Sequence, residues 1–342
     1  MEVNNRNTLN EYYQLIHPSI SERLVSSAYH EKLTSLFKLL PISTLVNLEL
    51  RLDGNEQVDA NLLYTKSKNL ILKEWIEKGK MMDHHNLNAW ISMWNDKSTF
   101  FYNQLKNIWL MYDYSIEKDH NLLPWIIITL ETTGFRADIV RSLYENSAEH
   151  FDSGLNNQHW QRFEDVLVKM PSGVNLVAIG LLNRTGKQLR FGVSSFLDVD
   201  SVTDYLESID WKGDIKFVSD HYSSPINNAV SCDLAFTIDD NLEPILGMEC
   251  YLDRASNYSH ASEVLDFLID KGWCLPDYKD ALLKFIGETE VPASVFKNEK
   301  TSTYSSDKVI IEKWISHFKM VYYPDKPPSA KAYIMFANQK LE

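Results

Sequence analysis

H-F-K-M-V-Y-Y at residues 317–323, P-D-K-P-P at 324–328 and S-A-K-A-Y-I-M-F at 329–336 form the stretch that decides the fold. Two runs of period two flank a proline-rich turn, which is the pattern of a β-hairpin. His317, Lys319, Lys331 and Tyr333 fall on one face, and Phe318, Met320, Ala332 and Ile334 on the other. Successive side chains of a strand point to opposite sides. If the apolar side packs against a core, the lysines, the histidine and the tyrosine must face something else.

Working outward, the same period recurs in pairs. L-V-N-L-E-L-R-L at 45–52 puts Asn47, Glu49 and Arg51 on one face and Val46, Leu48, Leu50 and Leu52 on the other. Asp53-Gly54-Asn55 reads as a turn, and V-D-A-N-L-L-Y-T at 58–65 as the second strand. N-I-W-L-M-Y-D-Y (107–114) and L-P-W-I-I-I-T-L (123–130) form the next pair, across a polar loop at 117–121. V-N-L-V-A-I-G-L-L (174–182) and Q-L-R-F-G-V-S-S-F (188–196) follow, joined by N-R-T-G-K; 232–238 and 245–252 form a fourth pair. Segments of helical period separate these hairpins: two in residues 1–40 around Pro18, then from Ser67, 87–105, 136–146, 159–169, 199–209, 262–271 and 277–285. Residues 287–307, rich in Ser, Thr, Glu and Lys, read as a flexible loop and candidate lid, and 309–314 as a short helix.

Hairpins separated by helices require antiparallel strands, because no strand reaches its hairpin partner through a helical crossover. Ten such strands can close into a barrel, which removes both sheet edges. A ten-stranded barrel is too wide for its own side chains to fill. The apolar strand faces then pack outward on a ring of helices, and the polar and aromatic faces line a lumen large enough for a ligand. An open sheet is the alternative closure of the same elements. The expected organisation is a single αββα barrel domain over 1–342, α+β in class, with 1–40 as N-terminal helices.

Composition narrows the function classes. The chain has 342 residues, 44% of them hydrophobic, and a net charge of −13. That charge disfavours a nucleic-acid partner, which needs clustered Lys and Arg. No run approaches the roughly 18 apolar residues of a membrane span, and M-E-V-N-N-R-N lacks a signal-peptide pattern. Cys232, Cys250 and Cys274 are an odd set without metal-like spacing, as expected of buried thiols in a cytoplasmic protein. His84-His85 cannot share a helical face, which argues against a metal site there. Asp198, Asp200, Asp239 and Asp240 read as cap and turn residues. No P-loop, dinucleotide fingerprint or H-E-x-x-H occurs.

The order αββα, five times over, resembles the ABBA prenyltransferase barrel, a family of aromatic and peptide prenyltransferases. The resemblance implies a ten-stranded antiparallel PT-barrel whose lumen holds a prenyl diphosphate as co-substrate, gripped by inward Lys, Arg and Tyr and often by a K-x-Y pair. K-A-Y at Lys331 and Tyr333 looks like that pair, with Lys319 beside it. Arg190 in Q-L-R-F-G and Tyr251 in G-M-E-C-Y stand at a cation and a tyrosine position. Glu49 stands where the first strand offers a base for the acceptor. The chain departs from the family pattern at the second strand, which lacks an arginine, at the fourth, which lacks K-x-Y, and at Glu249, where a cation is expected.

The residues themselves allow the same chemistry. Arg51, Arg190, Lys319 and Lys331 share the inward parity needed to stabilise a leaving diphosphate. Trp109 and Trp125, with Tyr251 and Tyr333, are candidate shields for a carbocation. Mg²⁺ is one source of further positive charge. The competing reading is structural: inward lysines paired with Glu49, Asp113 or Glu249 in a salt-bridge network, and tryptophans that only fill the core. Two functions follow: transfer of an isoprenyl group to an aromatic small molecule or an aromatic residue of a ribosomally made peptide, or a non-catalytic barrel that binds a peptide or metabolite.

Overall fold

A computed structural model describes residues 8–66, 69–77, 91–113, 124–130, 157–181, 188–222, 231–293 and 308–338. The strands are β1 (Leu45–Arg51), β2 (Val58–Thr65), β3 (Leu105–Tyr112), β4 (Trp125–Leu130), β5 (Asn175–Leu181), β6 (Leu189–Ser194), β7 (Ser231–Ile238) and β8 (Leu246–Tyr251), then β9 (Gly287–Pro292), β10 (Lys308–Tyr322) and β11 (Ser329–Asn338). Consecutive strands from β1 to β8 pair antiparallel, β8 pairs with β10, β10 with β11, and β11 returns to β1. The sheet is therefore a closed ten-stranded barrel, and the open-sheet alternative falls. β9 lies outside that circuit, against the first half of β10.

The outer face of the barrel meets the helices. α1 (Leu9–Ile16) and α2 (Ser27–Phe37) lie on either side of Pro18. Tyr12 and Tyr13 of α1 pack on Phe336 of β11, with ring centroids 5.5 and 6.5 Å apart. α3 (Asn69–Glu77) and α4 (Phe100–Gln104) fall between the first two hairpins, and α5 (Asn157–Val168) between the second and third. Phe163 of α5 meets Phe191 of β6 edge-on at 5.0 Å, and Phe191 stacks on Phe236 of β7 at 5.2 Å. α6 (Val199–Ser208) and α7 (Ile215–Tyr222) precede β7; α8 (Asn257–Asp270) and α9 (Pro276–Phe285) follow β8. The apolar parity found in the sequence thus points outward. Asp198 caps α6 by accepting from the Ser201 N–H. Gly54 in the β1–β2 turn and Gly272 after α8 adopt φ of +94° and +72°, the left-handed region that favours glycine.

Three expectations change. Gly287–Pro292, read within the 287–307 loop, is strand β9; residues 294–307 lie outside the described part. Residues 309–314, read as a helix, are strand: Val309 and Ile311 are buried and Ile310 is exposed, a period of two in a β-branched run. α8 begins at Asn257 rather than 262, and α7 lies between 209 and 232, where the sequence reading placed no element. The expected helix at 136–146, the loop at 117–121, the N-R-T-G-K turn and His84-His85 lie outside the described residues. Cys232, Cys250 and Cys274 are free and buried. No described helix is long and apolar enough to cross a membrane.

Candidate active site

The inward strand faces enclose a cavity of about 510 Å³. Glu49, Arg51, Trp109, Trp125, Arg190, Tyr251, Lys319, Lys331 and Tyr333 all line it, from seven different strands. Strand parity alone places them there. One end is filled by Leu45, Trp314, Met335 and Ala337, against which Leu63 and Trp109 pack. Trp109 therefore does two things, closing this end and walling the cavity.

A β-bulge aims the residues of β10. The register with β11 shifts between Ile315 and His317. The buried Asn257 side chain of α8 holds the bulge, donating to the Ile315 carbonyl at 2.7 Å and accepting from its N–H at 3.0 Å. An extra residue in one strand reverses the facing of everything beyond it. Trp314 can thus join the plug while His317 and Lys319 line the lumen.

Cross-strand register arranges the polar side chains in rows. One runs Asp233–Glu249–Lys319–Lys331–Arg51 across β7, β8, β10, β11 and β1. A second runs Tyr251–His317–Tyr333–Glu49–Asp59. A third, neutral, runs Met335–Asn47–Asn61–Met111–Trp125. Lys319 directly opposes Lys331, an unfavourable pairing of like charges. Each lysine instead meets an acid: Lys319 Nζ lies 2.7 Å from Glu249 Oε1 and Lys331 Nζ 2.6 Å from Glu49 Oε1. Arg51 bridges Asp59 at 2.6 Å and Glu49 at 3.4 Å. The Tyr251 hydroxyl donates to Glu249 Oε2 at 3.1 Å. Gly247 makes room for Lys319, because a Cβ there would collide with Lys319 Cε.

The titration behaviour follows from these contacts. Burial pushes Glu49 up, but Lys331 and Arg51 outweigh it and hold the carboxyl well below the usual carboxylate range. Burial likewise opposes ionisation of Glu249, and Lys319 and His317 overcome it, giving about 2. Burial lowers His317 to about 4, so its imidazole is neutral at pH 7. It stacks on Tyr333 at 3.9 Å and lies 4.5 Å from the Tyr251 ring. Arg190 is held differently, 4.6 Å over the Trp125 ring, and among the described residues it has no carboxylate partner.

The sequence reading did not assign Asp59, Asp233, Asn47, Asn61 or His317 a role, yet all line the lumen. The same parity count could have found them, since each alternates with a buried apolar neighbour. Asp59 is the charged inward residue of the second strand, which contains no arginine.

Neither a protein-family model nor a curated protein sequence matches the chain. Solved structures do. The 5-dimethylallyl tryptophan synthase from Streptomyces coelicolor in complex with DMASPP and Trp aligns over 96% of this chain and 95% of its own, at 12% identity and a TM-score of 0.55. AnaPT from Neosartorya fischeri aligns over 97% and 92%, at 11% identity and 0.55. A binary complex of the prenyltransferase PriB with product diphosphate aligns over 98% and 95%, at 10% identity and 0.53. The chain has the ABBA prenyltransferase fold.

Proposed function

We propose that this chain is a prenyltransferase, moving an isoprenyl group from a prenyl diphosphate to an aromatic acceptor. One observation carries the reading: Lys319, Lys331, Arg51, Tyr251 and Tyr333 from adjacent strands, and Arg190 from β6, share a 510 Å³ cavity with Trp109 and Trp125. Lys319, Lys331, Arg51 and Arg190, with the Tyr251 and Tyr333 hydroxyls, hold the diphosphate where charge develops as the C–O bond breaks. Trp109 and Trp125 exclude water and face the cationic carbon. Its new bond forms to an aromatic carbon of the acceptor, a small phenol or indole or an aromatic residue of a ribosomally made peptide. Glu49 takes the proton that this carbon loses. While paired with Lys331 it is a weak base. Turning Lys331 toward the phosphate frees the carboxylate, so binding of the donor activates the base.

Mg²⁺ fits the lumen poorly as built, because Glu49, Asp59 and Glu249 already accept from a lysine or arginine within 2.7 Å. His159, Asp239 and Asp240, whose donor atoms lie within 4.8 Å of one another, are outside the lumen lining.

The same ion pairs favour a second reading, a non-catalytic barrel that binds a peptide or small metabolite. The lysines and Arg51 are already neutralised, and a neutral ligand would leave those pairs intact. Incubation with dimethylallyl and geranyl diphosphate plus indole and phenol acceptors, read by mass spectrometry and calorimetry, separates the two. Prenylated product supports transfer. No heat at millimolar diphosphate and no product would leave the binding barrel.

A further inference from the structure

Unlike Glu49, Asp59 and Glu249, Asp233 is paired with no cation among the described residues. It is 7% exposed and lines the cavity, and its Oδ1 has no hydrogen-bond partner among the described residues. Its cross-strand neighbour is Glu249. Glu249 uses both of its oxygens, one for Lys319 at 2.7 Å and one for the Tyr251 hydroxyl at 3.1 Å. The other titratable groups that interact with Asp233 are Tyr251 on β8, Tyr222 at the end of α7 and Cys232 beside it, all uncharged at neutral pH because their protonated forms are favoured. On the β6 side the register brings Gly192 and Val193 opposite Ala235 and Leu234, with no charged group. On β10, Lys319 is engaged by Glu249. Two adjacent carboxyls shielded from water, with cationic support for only one, do not both ionise at neutral pH. The proton resides on the unsupported one.

We propose that Asp233 is a carboxylic-acid donor to the anionic ligand, giving a hydrogen bond to a diphosphate oxygen beside Lys319. The inference rests on the reading of the lumen as a diphosphate site and adds a residue to it. It answers a shortage of charge: the inward cations of this arc are partly neutralised by Glu49, Asp59 and Glu249, and a neutral O–H donor stabilises an anion without introducing a further negative charge. Burial, reinforced by Glu249, raises Asp233 to about 8, in keeping with that role. The sign follows directly. Below pH 8 the acid is protonated and donates. Above it a carboxylate stands against the diphosphate and repels it.

The test is calorimetric titration of inorganic diphosphate and of dimethylallyl S-thiolodiphosphate into the wild type, Asp233→Asn and Asp233→Ala, at pH 7 and pH 9. A single group titrating near 8 should cost the wild type about tenfold in affinity between these values. Comparison with Asp233→Asn at each pH removes the titration of the probe itself. The amide keeps a donor and cannot ionise, so Asp233→Asn should bind nearly as tightly as the wild type at pH 7 and lack the extra loss at pH 9. Asp233→Ala should bind about tenfold more weakly at pH 7. Thermal melts of each variant confirm that it is folded. The proposal is overturned if Asp233→Asn keeps the full pH dependence, or if Asp233→Ala binds like the wild type. Absence of wild-type binding to both probes overturns the diphosphate reading as well, which distinguishes the two failures.

Discussion

The two halves of the lumen wall are built differently. On β8, β10, β11, β1 and β2, every residue lining the cavity except Met335 is polar, and Glu249–Lys319, Lys331–Glu49 and Arg51–Asp59 are ion pairs at 2.6–2.7 Å. On β3 to β6 the lining is mainly apolar, with Trp109, Met111, Trp125, Ile127, Val177, Ala178, Phe191 and two glycines; Lys106, Asn107 and Thr129 are its polar members, and Arg190 lies over Trp125 rather than being paired to an acid. The difference teaches where each part of a prenyl diphosphate would go. The polar half can exchange internal ion pairs for phosphate contacts. The other half offers dispersion and π-faces to a hydrocarbon tail and aromatic acceptor. A buried ion pair contributes little net stability, because desolvation offsets attraction. On the proposed reading, the paired half is a poised anion site rather than a stabilising device.

That contrast can be broken most severely at Lys331. Lys331→Met should lower transfer on the order of 100-fold or more, by removing a donor at the leaving group. It also leaves Glu49 with Arg51 as its remaining ion-pair partner, so the melting temperature should fall. Adding Glu49→Gln should restore stability without restoring transfer. Recovery of activity in the double variant, measured as product per hour, would show that the pair is structural.

The apolar half should respond differently. Trp125→Ala removes the shield and the platform for Arg190, and should lower prenylated product about tenfold. The fraction of prenyl alcohol formed by water capture should rise. Chromatographic product ratios that match those of the wild type would mean that this wall does not exclude water.

Gly247→Ala probes the paired half more gently. The new Cβ forces the Lys319 stem off its rotamer, at roughly 1 kcal/mol or about fivefold in diphosphate affinity. Calorimetry should show that loss with little change in melting temperature.

At neutral pH the smallest effect is expected from His317→Phe, which keeps the stack with Tyr333 and Tyr251. Transfer should change less than about twofold. Acidification reveals the residue. The unfolded chain protonates this histidine near pH 6.5, whereas burial holds the folded form off until about 4. The wild type therefore loses stability as pH falls between those values. Melts at pH 7 and pH 5 should show a smaller loss in His317→Phe. The remainder should come partly from His30, which burial also lowers to about 4.

Much of this architecture is legible in the chain. Alternation in 45–52, 58–65 and 317–336 separates outward leucines from inward polar groups, and every candidate site residue reached the lumen on that count. The errors share a physical origin. The 309–314 run reads as helix in isolation, and only its pairing with β9 and β11 shows that it belongs to β10. Asp233 escapes notice because nothing in C-D-L-A-F marks it as the acid without a cation. That depends on Glu249 having taken Lys319.

Side-chain direction along a strand is local, a property of the pleat that repeats every two residues. The sequence by itself therefore determined five hairpins, the outward apolar faces and the membership of the lumen. Which charge meets which is not local. Lys331 and Glu49, separated by 282 residues, lie 2.6 Å apart only because β11 returns to β1 and closes the barrel. Closure, the bulge held by Asn257 and the plug around Trp314 were decided by the tertiary structure, since each requires partners brought together from distant parts of the chain.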